Sequence, residues 1–386
     1  MKHSLAHDTI SRVELEALCE WILGDNRLTK GPETLNFETE FAQYMGSKHA
    51  LFVNSGSSAN LVVAYAALSS RRLRNRIAIA PAVSWVTTVT PLLQLGYEVK
   101  LCDADENDLG LSVDHFEQLC AQYRPSIAFL VHVLGHANKM TQIMEICAKY
   151  DVMLIEDSCE ALSSEFDHKK LGTFGAAGTY SFYYGHHIST IEGGMVVTED
   201  TELYHKMMSI RSHGWSRDLP DEKRRALQKK YGIDDFRNLY TFYNEGFNLR
   251  STDLQAKIGR SQVCKLDDIA LVRNKNMKSY EVNLKDYFVQ VSHSSFVSNF
   301  AYGTFVSNPH EVSQTLSDNG IESRPLICGN IARHPFWIDR FGDSDNLPIA
   351  NKVHDHGIYL PNHANMTSDN VKYISDVFKK IAIPFF

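Results

Sequence analysis

Ser126-Ile127-Ala128-Phe129-Leu130-Val131, then the amphipathic segment Thr141–Lys149, then Val152-Met153-Leu154-Ile155-Glu156-Asp157 decide the fold. Two apolar runs, each the length of a strand, flank a segment long enough for a crossover helix, and that order lays the two runs side by side and parallel. The same rhythm extends in both directions. Runs at Ala50–Val53, Ile77–Ala80, Glu98–Cys102, Gly178–Tyr183 and Met195–Thr198 alternate with helix-like stretches at Leu35–Met45, Ser58–Leu68 and Asp114–Cys120. They predict an α/β fold with one large, seven-stranded, mostly parallel sheet. In such sheets ligands sit at the carboxyl ends of the strands, so the polar residues that follow each run are the candidates for function.

Further along, Asp218-Leu219-Pro220-Asp221-Glu222-Lys223-Arg224-Arg225 breaks the apolar pattern, and Arg217–Tyr240 reads as an exposed excursion, either solvated surface or a substrate lid. Beyond Phe247 come a helix, short strands at Val289–Val291 and Thr304–Val306, and a terminal helix at Val371–Lys380. They predict a second, smaller α/β domain, with residues 1–245 forming an N-terminal segment plus the large domain and 246–386 the small one.

The 386 residues suffice for two domains with a cleft, and 44% hydrophobic with 22% charged residues excludes disorder. Lys plus Arg number 39 against 46 for Asp plus Glu, a net charge of −7 with no polybasic run, so nucleic acid is not an expected partner. Met1–Asp8 carries acid and histidine where a secretion signal needs an apolar core, and no apolar stretch reaches the roughly 18 residues of a membrane span, so a cytoplasmic protein without membrane contact is expected. Seven dispersed cysteines without a CxC or CxxC pair fit reduced thiols rather than disulfides, zinc or an iron–sulfur cluster. Paired histidines such as His354 and His356, or His132 and His136, have no carboxylate or cysteine at matching spacing, and no metal is expected.

Three strand ends stand out. Asn54-Ser55-Gly56-Ser57-Ser58-Ala59-Asn60 opens a helix with a Gly/Ser turn whose free N–H groups suit a phosphate, or simply with a serine cap. Asp157 ends a buried run and needs either a cationic partner, such as a protonated ring nitrogen, or a role as a helix cap. Trp85, after Pro81-Ala82-Val83-Ser84, is either a flat stacking surface or a core residue.

Ser181-Phe182-Tyr183-Tyr184-Gly185-His186-His187-Ile188-Ser189-Thr190-Ile191-Glu192-Gly193-Gly194 resembles the cofactor loop of the sugar aminotransferase (DegT/DnrJ/EryC1) family of pyridoxal-phosphate enzymes. Gly31-Pro32-Glu33, Ser55-Gly56-Ser57, Glu156-Asp157, Arg211-Ser212-His213-Gly214 and Gly246-Phe247-Asn248-Leu249-Arg250 follow in the family's order, from about residue 20 to the C-terminus. The resemblance implies an aspartate-aminotransferase-like fold and pyridoxal or pyridoxamine 5'-phosphate as cofactor. Gly56, Ser57 and Ser181 would then hold its phosphate, Asp157 its ring nitrogen and Trp85 one ring face, with Glu160 near the ring hydroxyl. Asn248 would reach the phosphate of a neighbouring subunit, which implies a homodimer with shared sites.

At the position of the family's cofactor-binding lysine stands His186, and an imidazole moves protons but forms no covalent link to the cofactor. This departure resembles the family's 3-dehydratases, and the missing CxC favours the branch without an iron–sulfur cluster. The implied activity is loss of the C3 hydroxyl from a GDP-linked 4-keto-6-deoxy sugar, with His186 as base, L-glutamate as amino donor and ammonia released. The same chemistry on another nucleotide sugar, or a lysine-less protein that only binds sugar nucleotide, are the other readings. His213 would touch substrate, orient His186 or be structural; Arg324 and Asn330 would approach the nucleotide sugar, Arg324 otherwise forming a surface salt bridge. Glu160 replaces a common glutamine, His187 a common asparagine and Ile191 a common glycine.

Overall fold

The computed structural model describes residues 2–70, 72–342 and 346–385. Its strands are β1 (His49–Val53), β2 (Ile77–Pro81), β3 (Glu98–Cys102), β4 (Ile127–Val131), β5 (Met153–Asp157), β6 (Glu165–Phe166), β7 (Lys169–Lys170), β8 (Ala177–Ser181), β9 (Gly194–Thr198), β10 (Tyr302–Phe305), β11 (Arg324–Pro325) and β12 (Gly357–Leu360). Seven of them, the number expected from the runs, form the large sheet, in the order β1-β9-β8-β5-β4-β2-β3. Pairing is parallel from β3 through β2, β4 and β5 to β8, whereas β9 runs antiparallel to both β8 and β1. Strand β4, Ile-Ala-Phe-Leu-Val, is buried along its whole length, the continuous apolar run of a strand covered on both faces.

The crossover helices begin where their caps dictate. Ser55 accepts from the Ser58 amide to start Gly56–Ser69, Ser112 caps Val113–Tyr123, and Asp200 accepts from the amides of Glu202 and Leu203 to start Thr201–Arg211. That last helix ends on Arg211, only 1% exposed, whose guanidinium donates to the Glu38 carboxylate and the Phe52 carbonyl. Glu38 in turn accepts from the Phe52 amide, so this buried ion pair ties two helices to β1. Removing either partner strands a buried charge, at about 3–5 kcal/mol. Arg211 in the Arg211–Gly214 motif is therefore a structural residue.

A smaller antiparallel sheet, β10-β12-β11, shares a buried core with the helices Leu266–Asn283 and Ser368–Lys379, in which Tyr302, Ile358 and Leu360 join Met277, Tyr280, Val371 and Ile374. The strand expected at Val289–Val291 does not form. Gln290 Nε2 donates instead to the carbonyls of Asp108 and Val133, and the Val291 amide to that of Asn107, so this segment is an extended connector pinned to the large sheet's loops. The charged excursion folds as the helices Asp221–Tyr231 and Asp235–Asn238, neither of which has a buried residue. Short hairpin strands β6 and β7 have no sequence run behind them, two residues being too few to show a period. No helix among the described residues is long and apolar enough to cross a membrane.

Candidate active site

The chemistry-bearing residues collect at the carboxyl edge of the parallel strands. Because β9 returns antiparallel beside β8, the loop 182–193 leaves and re-enters the sheet at this same edge. Close packing there explains its glycines. A Cβ on Gly56 would lie 2.6 Å from the Ser181 Cβ, and one on Gly194 would lie 2.3 Å from the Ser55 carbonyl carbon. Only glycine lets the start of helix Gly56–Ser69, the end of β8 and the start of β9 meet backbone to backbone. Gly56, Ser57 and Ser181 thus share one cradle at the positive end of a helix, while the Ser57 hydroxyl lies 2.8 Å from that of Thr87.

Asp157, 5% exposed, ends β5. Its carboxylate accepts from Asn60 Nδ2 at 2.8 Å, from the Thr88 hydroxyl at 2.8 Å and from the Cys159 amide at 3.2 Å. No helix starts at Ser158, so helix capping is not its role. All three donors are neutral, and no cation of the described residues makes an ion pair with it. A buried carboxylate in this state has room in its electrostatics for a protonated ring nitrogen, so the donor set fits a pyridoxal-type cofactor. Trp85 stands at the head of helix Val86–Gln94 with 58% of its surface exposed, which excludes the core alternative and leaves a free ring face on the same edge.

His186 joins this group through the turn after β5. Its Nδ1 lies 2.9 Å from the Cys159 carbonyl, and since a carbonyl only accepts, Nδ1 carries the proton and Nε2 keeps its lone pair. The imidazole also leans on the Phe300 ring, with centroids 5.3 Å apart. Burial pushes its pKa down to about 4, with Arg273 adding to the effect and the Cys159 bond and Asp157 opposing it. His186 is therefore a neutral base at neutral pH. On the same turn Glu160 accepts from the Leu134 amide at 2.8 Å, and burial raises its carboxyl to about 7, a smaller push coming from Asp157. His187 faces away, fully buried, with Nε2 donating to the Ser298 carbonyl.

Ile191, where the resemblance implies a glycine, has the left-handed backbone that a glycine would adopt, with φ of +70°. A β-branched residue there is strained by about 1–2 kcal/mol. Its side chain is 52% exposed, so little burial is lost on removing it. Ile191→Gly is expected to raise stability by a net ~0.5–1 kcal/mol after the entropy of the glycine, read as a higher thermal midpoint; an unchanged or lower midpoint would show the loop to be unstrained.

His213, Asn248 and Arg250 form a separate cluster. Arg250 Nε donates to Asn248 Oδ1 at 3.0 Å, and its Nη2 lies 3.2 Å from His213 Nε2. His213 packs edge-on against Trp215, and no hydrogen bond links it to His186, nor Asn248 to Gly56, Ser57 or Ser181, among the described residues. Arg324, on β11, is 60% exposed and paired with Glu322 at 2.7 Å. Asn330 is fully buried beside the Ala82–Trp85 turn, its side chain donating to Asn351 and accepting from the Ala332 amide.

Sequence reasoning missed Asn60 and Thr88, which hold Asp157, and Phe300 and Arg273 beside His186. Arg273 had a legible signal, a charge at an apolar-stripe position of helix Leu266–Asn283, whereas Phe300 lies in a connector with no periodicity.

A sheet of this order, with a buried aspartate lacking a cationic partner among the described residues, a glycine/serine helix start and the 182–193 loop on one edge, is the arrangement of aspartate-aminotransferase-like pyridoxal-phosphate enzymes. The profile of the DegT/DnrJ/EryC1/StrS aminotransferase family matches residues 10–379. The chain belongs to that family. It is 32% identical to the GDP-4-keto-6-deoxy-D-mannose 3-dehydratase of Escherichia coli O55:H7 over 391 residues, covering 98% of this chain and 100% of the relative. It is 33% identical to the enzyme of that name from Yersinia pseudotuberculosis, covering 97% and 98%. Among solved structures, GDP-4-keto-6-deoxymannose-3-dehydratase with a trapped PLP-glutamate geminal diamine superposes with a TM-score of 0.89 at 31% identity, covering 97% of this chain and 100% of the other.

Proposed function

We propose that this chain is a pyridoxal/pyridoxamine-phosphate-dependent 3-dehydratase that converts GDP-4-keto-6-deoxy-D-mannose to GDP-4-keto-3,6-dideoxymannose, a step toward colitose-type dideoxy sugars. L-Glutamate restores the amine form of the cofactor, and ammonia is released. The observation that carries the reading is the imidazole of His186, tethered through Nδ1 with Nε2 free, in the loop where a lysine would hold the cofactor covalently.

When bound, the cofactor supplies an amine for the sugar ketone and a ring that accepts electrons. Asp157 pairs with the ring nitrogen and keeps it protonated. Gly56, Ser57 and Ser181 receive the phosphate at the helix start, Trp85 covers a ring face, and Glu160 lies toward the ring hydroxyl. His186 Nε2 takes a proton beside the ring and, once charged, gives it to the departing C3 hydroxyl. Asn248 reaches a second subunit's phosphate, with His213 and Arg250 beside it, in a homodimer with shared sites. Arg324 and Asn330 serve the nucleotide end, and the division into 1–245 and 246–386 leaves the site between a large and a small domain. We place the reaction in the cytoplasm.

The test mixes the protein with pyridoxal phosphate, glutamate and GDP-4-keto-6-deoxymannose. Ammonia together with a product lighter by one oxygen is expected, the oxygen being balanced by glutamate becoming 2-oxoglutarate. An amino sugar without ammonia would overturn the proposal.

A further inference from the structure

Helix Leu266–Asn283 turns Ile269, Ala270, Asn276, Met277 and Tyr280 inward, and in the same stripe it buries Arg273. Burial alone, with no carboxylate to oppose it, pulls this guanidinium down to about 9. Its charge is met by backbone carbonyls instead. Nη1 donates to the carbonyls of Asn299, Phe300 and Asn362, and Nη2 to that of His186 at 3.4 Å, while Nε has no partner. Asn362 closes the arrangement, its Nδ2 donating to the Arg273 and Asn299 carbonyls.

The Phe300 segment is held from its other side by Leu134, whose carbonyl accepts from the Phe300 amide and from Asn299 Nδ2. The Leu134 amide is the donor to Glu160. One guanidinium therefore grips the main chain of His186 and, through Phe300, the surface on which the imidazole leans.

We infer that Arg273 is a positioning residue for the reaction proposed above, fixing the backbone of His186 and the Phe300 face so that the imidazole keeps Nδ1 on Cys159 and Nε2 free. Its charge adds a second effect, disfavouring a proton on the ring. The other titratable groups around that ring are Asp157, Cys159 and Glu160 on the turn after β5 and His187 on its own loop. His363, itself held down to about 4 by burial and then by Arg273, is a further neighbour of the guanidinium.

The experiment compares full-length Arg273→Lys and Arg273→Gln with the parent enzyme for kcat, KM, cofactor retention and the pH profile of kcat. In the lysine variant kcat is expected to fall about 10–10²-fold, with KM, cofactor retention and the acid limb unchanged, because the charge remains and the fork to His186 is lost. In the glutamine variant the acid limb is expected to move up toward the ordinary histidine value as well. Should the glutamine variant not fold, the kcat-against-KM split of the lysine variant decides alone. A lysine variant with parental kcat, or one losing activity only in step with bound cofactor, overturns the inference. Parent enzyme run alongside separates the two proposals: no ammonia from it sinks the dehydratase reading. The inference on Arg273 is then still decided by an NMR titration of the His186 ring, which must titrate at higher pH in the glutamine variant.

Discussion

His186→Asn yields a protein that takes up pyridoxal phosphate as the parent does and turns over about 10²–10⁴-fold more slowly, the usual worth of a positioned proton carrier. Asparagine fits the space and its Nδ2 can still donate to the Cys159 carbonyl, so the loop has no reason to move. What disappears is the lone pair on Nε2. Nothing in the cradle of Gly56, Ser57 and Ser181 or around Asp157 depends on the imidazole, so cofactor titration by absorbance should show unaltered affinity while ammonia release slows by the same factor as turnover. Full activity in this variant would dismiss His186 as the base. In the parent enzyme the pH profile carries a related signature. A base held down to about 4 stays deprotonated through the weakly acid range, so kcat should persist well below pH 6.5 and fail as pH drops toward 4. An acid limb near 6.5 would mean that the ring is as solvated as a free histidine.

The second large effect belongs to Asp157→Asn. The parent carboxylate is buried among three neutral donors, and under the proposed function the cofactor's ring nitrogen is the cation that would complete its pairing. An amide of the same shape removes the charge and turns an N–H₂ toward Asn60 or Thr88, which themselves donate. Losing one partner of a buried charge pair is worth about 2–5 kcal/mol, a weakening of cofactor binding by about 30- to 5000-fold. Turnover should stay low even at saturating cofactor, because the ring no longer holds the proton that makes it an electron acceptor. Unchanged affinity together with unchanged ammonia release would remove Asp157 from the site.

Much of this was legible in the chain itself. The inner strands of the large sheet show as short apolar runs because burial on both faces leaves them no polar alternation to hide in, whereas the edge strand β3 shows through its alternation, Glu-Val-Lys-Leu-Cys. The cradle and the 182–193 loop show as glycine and serine clusters because backbone has to meet backbone at Gly56 and Gly194. Residues that act through contacts distant in sequence were silent. Asn60 and Thr88 sit on two different helices and acquire meaning only when both meet Asp157, and Phe300 is one aromatic among 20 phenylalanines until Leu134 and Arg273 fix it against His186. Val289–Val291 failed for the opposite reason: a β-branched pair signals an extended chain, but whether an extended chain finds a strand partner is settled by its surroundings, here the loop carbonyls that claim Gln290.

One consequence follows from the antiparallel return of β9. The twelve residues between Ser181 and Gly194 are anchored at both ends by one rung of the ladder, Ser181 opposite Gly194, so the segment behaves as a cassette plugged into a rigid socket. Its tip is free to exchange one side chain for another while the helix start at Gly56 next to it stays in register, which gives this architecture a way to change reaction type without rebuilding the scaffold.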